Sequence, residues 1–401
     1  MERCRTTCAC AAPQPATGAI ACARCGGPLG FDYDLTQMQA DAAQGASMWR
    51  YWRRLPVPDP ACVVSLGEGG TPLLASALTA AVALTWKDET RNPTGSHKDR
   101  ALSLSVSFAR LHGARVSAVV SAGSTGLANA AYAARAGLRS VTLVPAGTPQ
   151  ERLFPLAVYG SRLIEVDAGI DAAIAALRVL HGQSGIAVAS TERRSNPVQA
   201  EAAKTIAYEI VAELGDAPDW VLVPTGGGGT VAGLWRGFLE ARALREATRL
   251  PRLAAIVPDS HDALAAALRA GIATPEDFAD LHYEDGPPTL LAKLAHAHPP
   301  DGLEALEAIR GSGGAVVAVG EQDAVAGTHQ IAAADGLYLE PSSGVLAPAL
   351  EILLAARTIA PGARVVGLAC GSGYRESFAM AARETVRLER VALAELAAAL
   401  I

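Results

Sequence analysis

The stretch Lys87-Asp88-Glu89-Thr90-Arg91-Asn92-Pro93-Thr94-Gly95-Ser96-His97-Lys98-Asp99-Arg100 carries the strongest chemical signal in the chain. It leaves an apolar run, turns through Asn-Pro-Thr-Gly and enters a helical segment carrying Leu102, Val106 and Leu111. Lys98 is therefore expected in the first turn of a helix, where the positive end of the macrodipole disfavours an ammonium. A lysine so placed is pushed toward the free base, the form that attacks carbonyls. The plainer reading is a solvated charge run in a loop; the Gly-Ser-His-Lys order at a strand-to-helix turn weighs against it.

A second segment, Val221-Leu222-Val223-Pro224-Thr225-Gly226-Gly227-Gly228-Gly229-Thr230, precedes an apolar helix that runs to Phe238. Four glycines between a strand and a helix expose successive backbone N–H groups to an anion. No Gly-Lys-Ser/Thr follows, so this is not a Walker loop. No acidic residue stands about twenty positions on at the end of a next strand, which leaves a dinucleotide site weakly supported. A single phosphate fits better, and a simple tight turn is the bland alternative. Ser121-Ala122-Gly123-Ser124-Thr125-Gly126 offers hydroxyls and N–H groups at a helix start, suited to a carboxylate, although such residues also serve as ordinary caps. Cys370, in Ala369-Cys370-Gly371-Ser372-Gly373 at the end of the last strand, is on sequence grounds more often a packing residue than a ligand contact. An activated lysine, a phosphate cradle and a carboxylate loop together fit pyridoxal 5'-phosphate chemistry on an amino acid, with the cofactor as electron sink.

Short β-rich runs alternating with Ala-rich helical stretches must position these segments. The runs are Val82–Trp86, Val116–Val120, Ser140–Val144, Arg162–Val166, Ile186–Ala189, Trp220–Val223, Leu253–Val257, Ala315–Val319 and Arg364–Leu368. Most are apolar throughout, as expected of strands covered on both faces, so βαβ units and parallel sheets follow. Nine strands exceed a comfortable single sheet, so two α/β domains are expected. Asp280–Pro300 is rich in Pro and His and reads as a loop-like insert, residues 31–60 as a helix and arm, and Val391–Ile401 as an Ala-rich helix.

The 401 residues are 50% hydrophobic and only 18% charged, which excludes a disordered, charge-driven scaffold. A net charge of -6 without a basic cluster argues against nucleic acid as a partner. No apolar run approaches a membrane span, and the N-terminus lacks a signal-peptide core, so a cytoplasmic protein without membrane partners is the expectation.

The sequence resembles the threonine synthase branch of the fold-type II pyridoxal-phosphate enzymes over nearly its whole length. The resemblance rests on Met48-Trp49-Arg50-Tyr51, Ser65-Leu66-Gly67-Glu68-Gly69-Gly70-Thr71-Pro72-Leu73, Asn92–Arg100, Ala130–Gly137, the tetraglycine loop and Glu340-Pro341-Ser342-Ser343. It implies two parallel-sheet, three-layer α/β domains of the tryptophan synthase β-like kind and a small N-terminal Cys-rich, zinc-ribbon-like segment. The corresponding boundaries are 1–30 for the ribbon-like segment, 31–110 plus 200–401 for the larger cofactor-binding domain, and 111–199 for the smaller one. Lys98 would be the Schiff-base lysine and proton carrier, Gly226, Gly227, Gly228, Gly229 and Thr230 the phosphate cup, and Ser124 and Cys370 further cofactor contacts. Ser121, Gly123, Thr125 and Gly126 would hold the substrate carboxylate, with Lys87 and Arg194, and also Arg91 and Arg193, as cations for a substrate phosphate. A homodimer acting on a small amino acid is implied.

Four departures bear on the substrate. Ser124 stands where the family usually has Asn, His97 where an aromatic precedes the lysine, Gln199 where an Arg follows Asn-Pro, and Cys370-Gly371-Ser372-Gly373 where Thr and Gly-His-Gly are usual. A cysteine at that place looks more like the serine/threonine dehydratases. The leading expectation is a carbon–oxygen lyase converting O-phosphohomoserine to threonine. The alternatives are a serine/threonine dehydratase or related β-elimination or β-replacement enzyme, and a non-catalytic homologue that binds cofactor or amino acid.

Five of the seven cysteines fall in the first 25 residues. Cys22-Ala23-Arg24-Cys25-Gly26-Gly27 has the form of a zinc knuckle. Cys4, Cys8 and Cys10 supply an irregular partner half, from which Cys4 and Cys8 are taken to complete a zinc site with Cys22 and Cys25. A ribbon without metal and a redox role are the other readings.

Overall fold

The computed structural model describes residues 4–8, 10–15, 18–35, 45–281, 286–381 and 390. β1 (Cys4–Cys8), β2 (Ala11–Pro15) and β3 (Gly30–Tyr33) form an antiparallel sheet in the order β2-β1-β3. Ten further strands follow: β4 (Leu73–Ala75), β5 (Ala83–Asp88), β6 (Val116–Val120), β7 (Arg139–Pro145), β8 (Arg162–Val166), β9 (Ile186–Val188), β10 (Trp220–Pro224), β11 (Arg252–Pro258), β12 (Ala315–Val319) and β13 (Arg364–Ala369). All nine runs expected as strands are strands.

They build two separate sheets. The smaller is parallel, in the order β8-β7-β6-β9. The larger is ordered β12-β11-β10-β13-β5-β4, parallel except for the edge pair of β4 and β5. Its central strands bury both faces because helices cover both: Val221, Val223 and Leu253 face one apolar cluster, and Leu222, Ala254 and Ile256 the other. This is the expected α/β architecture of parallel sheets.

Helices connect the strands by crossovers: α1 (Lys98–Leu111), α2 (Ser124–Ala136), α3 (Gln150–Val158), α4 (Ile170–Val179), α5 (Gln199–Ala202), α6 (Lys204–Leu214) and α7 (Gly229–Ala243), with further helices after residue 260. Every connection between parallel strands returns the chain to the same end of the sheet. The loops after β5, β10 and β13 therefore open at the carboxyl ends of adjacent strands, where ligands of open α/β sheets bind. The Lys98 segment follows β5, the tetraglycine loop follows β10 and Cys370 follows β13.

Of residues 31–60, expected as helix and arm, the described part includes the end of β3 and a 3-10 helix at Met48–Arg54. Within that helix Trp49 donates its indole N–H to Glu68 at 2.6 Å. Glu68 also accepts from Tyr132 of α2 at 2.8 Å. Residues 286–300 form no named helix or strand, in keeping with the expected insert. The expected helix at Val391–Ile401 lies outside the described residues.

Candidate active site

Lys98 is the first residue of α1, and its neighbours in sequence are anchored on both sides. Asp99 accepts from the Thr94 N–H at 3.0 Å and the Thr94 hydroxyl at 2.8 Å, closing the Asn92–Ser96 turn onto the helix. Arg100 is buried and pairs with Glu89 at 2.7 Å and with Glu209 of α6 at 2.6 Å. His97 ties the same turn to the last strand: its N–H donates to the Cys370 carbonyl at 2.9 Å, and its Nδ1 lies 3.2 Å from that oxygen. A carbonyl only accepts, so Nδ1 carries the ring proton. Burial, with nearby Lys98, holds the imidazole well below its usual pKa and hence neutral.

Burial also lowers the pKa of Lys98. Cys370, Asp301 and Glu340 oppose that shift and Lys293 adds to it. The result is the direction the sequence implied, although desolvation rather than the helix end is the leading cause.

The tetraglycine loop runs from β10 into α7. Gly228 has φ +95, a backbone conformation that side chains resist, and α7 begins at the next residue. The loop thus aims the opening N–H groups of a 15-residue helix at the cleft. Lys98, Gly229 and Thr230 line one cavity together with His97 and Gln199. The Ser121–Gly126 loop follows β6. Ser121 accepts from the Gly123 N–H at 3.1 Å, and a Cβ at Gly126 would fall 1.9 Å from the Ser121 carbonyl. Only glycine lets the chain fold so tightly there. Ser124 and Thr125 are buried at the start of α2.

Two cations that the motifs did not identify, Arg375 and Lys293, complete the cleft together with Glu340 of the Glu340–Ser343 motif. Arg375 donates from Nη1 to the Ser124 hydroxyl at 2.7 Å, and its Nε is buried with no hydrogen-bond partner. Lys293 pairs with Glu340 at 2.5 Å and Glu376 at 3.0 Å. Lys293 also approaches the Ser121–Gly126 loop, where a Cβ on Gly123 would lie 4.0 Å from its Cε. Glu340 opens the Glu340-Pro341-Ser342-Ser343 segment, which is laced to the end of β13 by Glu340 N–H to Gly371 O at 3.1 Å and Gly371 N–H to the Ser343 hydroxyl at 3.3 Å. Cys370 is buried, and burial keeps its thiol far above the usual range and so protonated.

A family profile described as "Pyridoxal-phosphate dependent enzyme" matches residues 64–371, which contain the lysine turn, the tetraglycine loop and Cys370. The chain belongs to that family. A threonine synthase of Methanocaldococcus jannaschii is 31% identical over 379 residues, covering 91% of each chain. A threonine synthase of Mycobacterium bovis is 32% identical over 330 residues, 81% of this chain and 87% of the relative. Among solved structures, a fungal L-serine ammonia-lyase from Rhizomucor miehei superposes with a TM-score of 0.63 at 22% identity, over 77% of this chain and 97% of the other, a likeness of fold.

The site of this family member differs from the sequence expectation at three places. Lys87 is fully buried, and its three N–H donors go to the Thr71 carbonyl, Glu209 at 3.0 Å and Glu213 at 2.8 Å. It has no donor left for a substrate. Successive residues of a strand point to opposite faces, which is why closeness in sequence to Lys98 did not bring Lys87 into the cleft. Arg194 is exposed, Arg91 is exposed and pairs with Asp88, and Arg193 pairs with Glu304 at 2.8 Å.

The third difference is in the cysteine cluster, where the thiols of Cys8, Cys10, Cys22 and Cys25 lie within 4.8 Å of one another and Cys10 takes the place expected for Cys4. Cys4 is buried at the start of β1, paired across the sheet with Tyr33. The cluster's neighbouring sulfurs are separated by 3.4 to 3.6 Å. A tetrahedron with ~2.3 Å metal–sulfur bonds needs sulfurs about 3.8 Å apart. Backbone N–H groups of Cys25 and Arg24 lower the Cys22 thiol to about 6, toward the thiolate a metal requires.

Proposed function

We propose that this protein is a pyridoxal-phosphate-dependent carbon–oxygen lyase of the threonine synthase type, forming threonine from O-phosphohomoserine by elimination and water addition. The observation that carries the reading is the shared cavity of Lys98 with Gly229 and Thr230, an amine with lowered pKa beside a helix-end anion cup. The donor set fits the cofactor: Lys98 for its aldehyde, Gly226 to Thr230 for its phosphate, Ser124 and Cys370 for its ring. Bound there, the cofactor supplies an electron sink for charge developing on the substrate. Cys370, a neutral thiol, gives a ring nitrogen no counter-charge, which favours elimination over transamination. Lys98 moves the proton at substrate Cα. The Ser121, Gly123, Thr125 and Gly126 loop receives the substrate carboxylate at the start of α2.

A substrate phosphate needs cations beyond the cup. Arg375 is the best placed, since one N–H already reaches Ser124 and the buried Nε has a bond to offer. Lys293, close to Gly123 of the same loop, is the second. They assume the part first given to Lys87 and Arg194. The names of the two threonine synthase relatives agree with threonine as the product.

Cys370 favours a second reading, dehydration of serine or threonine. An assay of O-phosphohomoserine, threonine and serine separates the two: inorganic phosphate with threonine supports the synthase, whereas 2-oxo acid from the hydroxy amino acids, with O-phosphohomoserine inert, supports the dehydratase. Inertness toward all three in cofactor-loaded protein supports the non-catalytic binder.

The reading extends to the whole chain: a zinc ion on Cys8, Cys10, Cys22 and Cys25, a ribbon-like segment at 1–30, a larger domain at 31–110 plus 200–401, a smaller one at 111–199, and a homodimer.

A further inference from the structure

Asp301 stands against the tetraglycine turn in a way that the cup's expected ligand does not at first sight permit. It is 3% exposed. Its N–H donates to the Gly227 carbonyl at 2.8 Å, and its Oδ1 accepts the Arg193 N–H at 2.9 Å. Its Oδ2 is buried and has no hydrogen-bond partner. That oxygen faces Gly229, the first residue of α7: a Cβ there would lie 2.6 Å from it. The charge of Asp301 also bears on Lys98, placing it within electrostatic reach of the lysine side of the cavity.

An ionised carboxylate in this position would be costly twice over. One oxygen would be buried without a donor, and a phosphate dianion entering the cup would meet a like charge. A protonated carboxyl removes both difficulties, because the Oδ2 hydroxyl becomes a donor and phosphate oxygens are strong acceptors.

We propose that Asp301 is a residue of the phosphate cup that works as the neutral acid, its Oδ2–H donating to the phosphate ester held by Gly226 to Thr230. Filling the cup is then coupled to holding, or taking up, a proton at Asp301. The proposal rests on the reading of the cup as the cofactor's phosphate site. Burial raises the carboxyl to about 7, against the Arg193 N–H, which lowers it. Around it Glu304 and Glu192 push in the same direction as burial, and the Arg193 charge pushes back. Lys98 pushes back as well, and His296 stands at Gly226, held low and so neutral by burial. Because the proton is bound more tightly with phosphate present, affinity must fall as pH rises above the free-state value.

Pyridoxine 5'-phosphate is the appropriate probe, since without an aldehyde it forms no bond to Lys98 and keeps that group's chemistry out of the measurement. Calorimetric titration of the full chain, in two buffers of different ionisation enthalpy, reads affinity and proton uptake together. The expected result is uptake approaching one proton per site at about pH 8 to 9, with affinity falling up to roughly tenfold per pH unit there. Asp301→Asn, whose amide remains a donor, should bind in the same range with neither the uptake nor the decline. Binding by the unaltered protein without proton uptake at about pH 8 to 9 overturns the proposal, while leaving the cup as a phosphate site. Unchanged uptake in Asp301→Asn overturns it too. Absence of binding at every pH removes the reading of the cup itself, and this proposal with it. Should Asp301→Asn fail to fold, uptake that persists in Lys98→Ala, where that amine cannot take the proton, upholds the proposal, and its loss there overturns it.

Discussion

Arg100 and Glu209 meet twice: Nη1 of the guanidinium lies 2.6 Å from Oε1 of the carboxylate, and Nη2 lies 2.7 Å from Oε2. This two-pronged pair joins the first turn of α1 to the middle of α6, two residues beyond Lys98, the proposed cofactor lysine. Glu209 also accepts the Gly70 N–H at 2.9 Å, and Glu89 takes the other edge of the guanidinium. Lys98 is held in place by an ionic lattice beneath it.

Removing one member of a buried ion pair leaves its partner uncompensated, at about 3–5 kcal/mol. Glu209→Ala should therefore lower the melting temperature by several degrees and weaken cofactor retention, read by thermal denaturation with and without added cofactor. An unchanged melting temperature would show that the lattice contributes nothing to the fold.

The same lattice sets an acid limit. Burial alone would raise Glu89 and Glu209, but Arg100 overrides it and holds both below their ordinary value of 4.5. A carboxylate with a depressed folded-state pKa stabilises the protein above the unfolded value, and that stabilisation is lost as pH falls through the folded one. Stability should be flat with respect to these groups above about pH 5 and decline below about pH 4. Denaturant titrations across that range measure it. The decline should be shallower in a variant that replaces Arg100 and both acids with apolar residues, and an equally steep decline there would count against this origin.

Lys98→Ala should leave far-UV circular dichroism unaltered and abolish fixation of the cofactor by borohydride. Labelling at any other lysine in that variant would mean that the amine has been misassigned.

Much of this arrangement was legible before the fold was seen. Strand β10 is apolar throughout and β6 and β11 nearly so, because both faces of their sheets are covered, so composition alone marked them. The lysine turn and the glycine loop each lie within one short segment and were equally plain. What escaped was whatever depends on distance along the chain. Lys293, Asp301 and Arg375 reach the cleft from loops more than 150 residues beyond Lys98 and Ser124, and no local spacing announces them. Cys4 was avoidable: residues four apart in one strand are about 13 Å apart, too far to share an ion, so recognising β1 would have excluded the pair Cys4 and Cys8.

Arg375 provides the substrate test. Replacing it with Ala removes a charged hydrogen-bonding partner worth about 1.5–3 kcal/mol, hence a rise of roughly ten- to a hundredfold in KM for O-phosphohomoserine. A serine or threonine substrate, lacking the phosphate, should be far less affected. Equal losses for all three would assign Arg375 to the support of Ser124 instead.

The four-thiol cluster and the tetraglycine loop, the proposed cofactor cup, are joined through Arg193. The cluster's loop ends at Leu29, whose carbonyl accepts from Arg193 Nε at 3.1 Å. The backbone N–H of the same residue holds Asp301, and Asp301 holds Gly227. A metal on Cys8, Cys10, Cys22 and Cys25 would fix the loop and, through this chain of bonds, the cup. Cys10→Ser should lower bound zinc well below one per chain, whereas Cys4→Ser should leave it unchanged, as metal analysis will report. Chelation should weaken equilibrium cofactor binding several-fold in the unaltered protein. In Arg193→Ala, binding should begin weaker and respond little to the chelator, because two changes acting through one link are not additive. Equal responses in both proteins would show that the ribbon and the cup are independent.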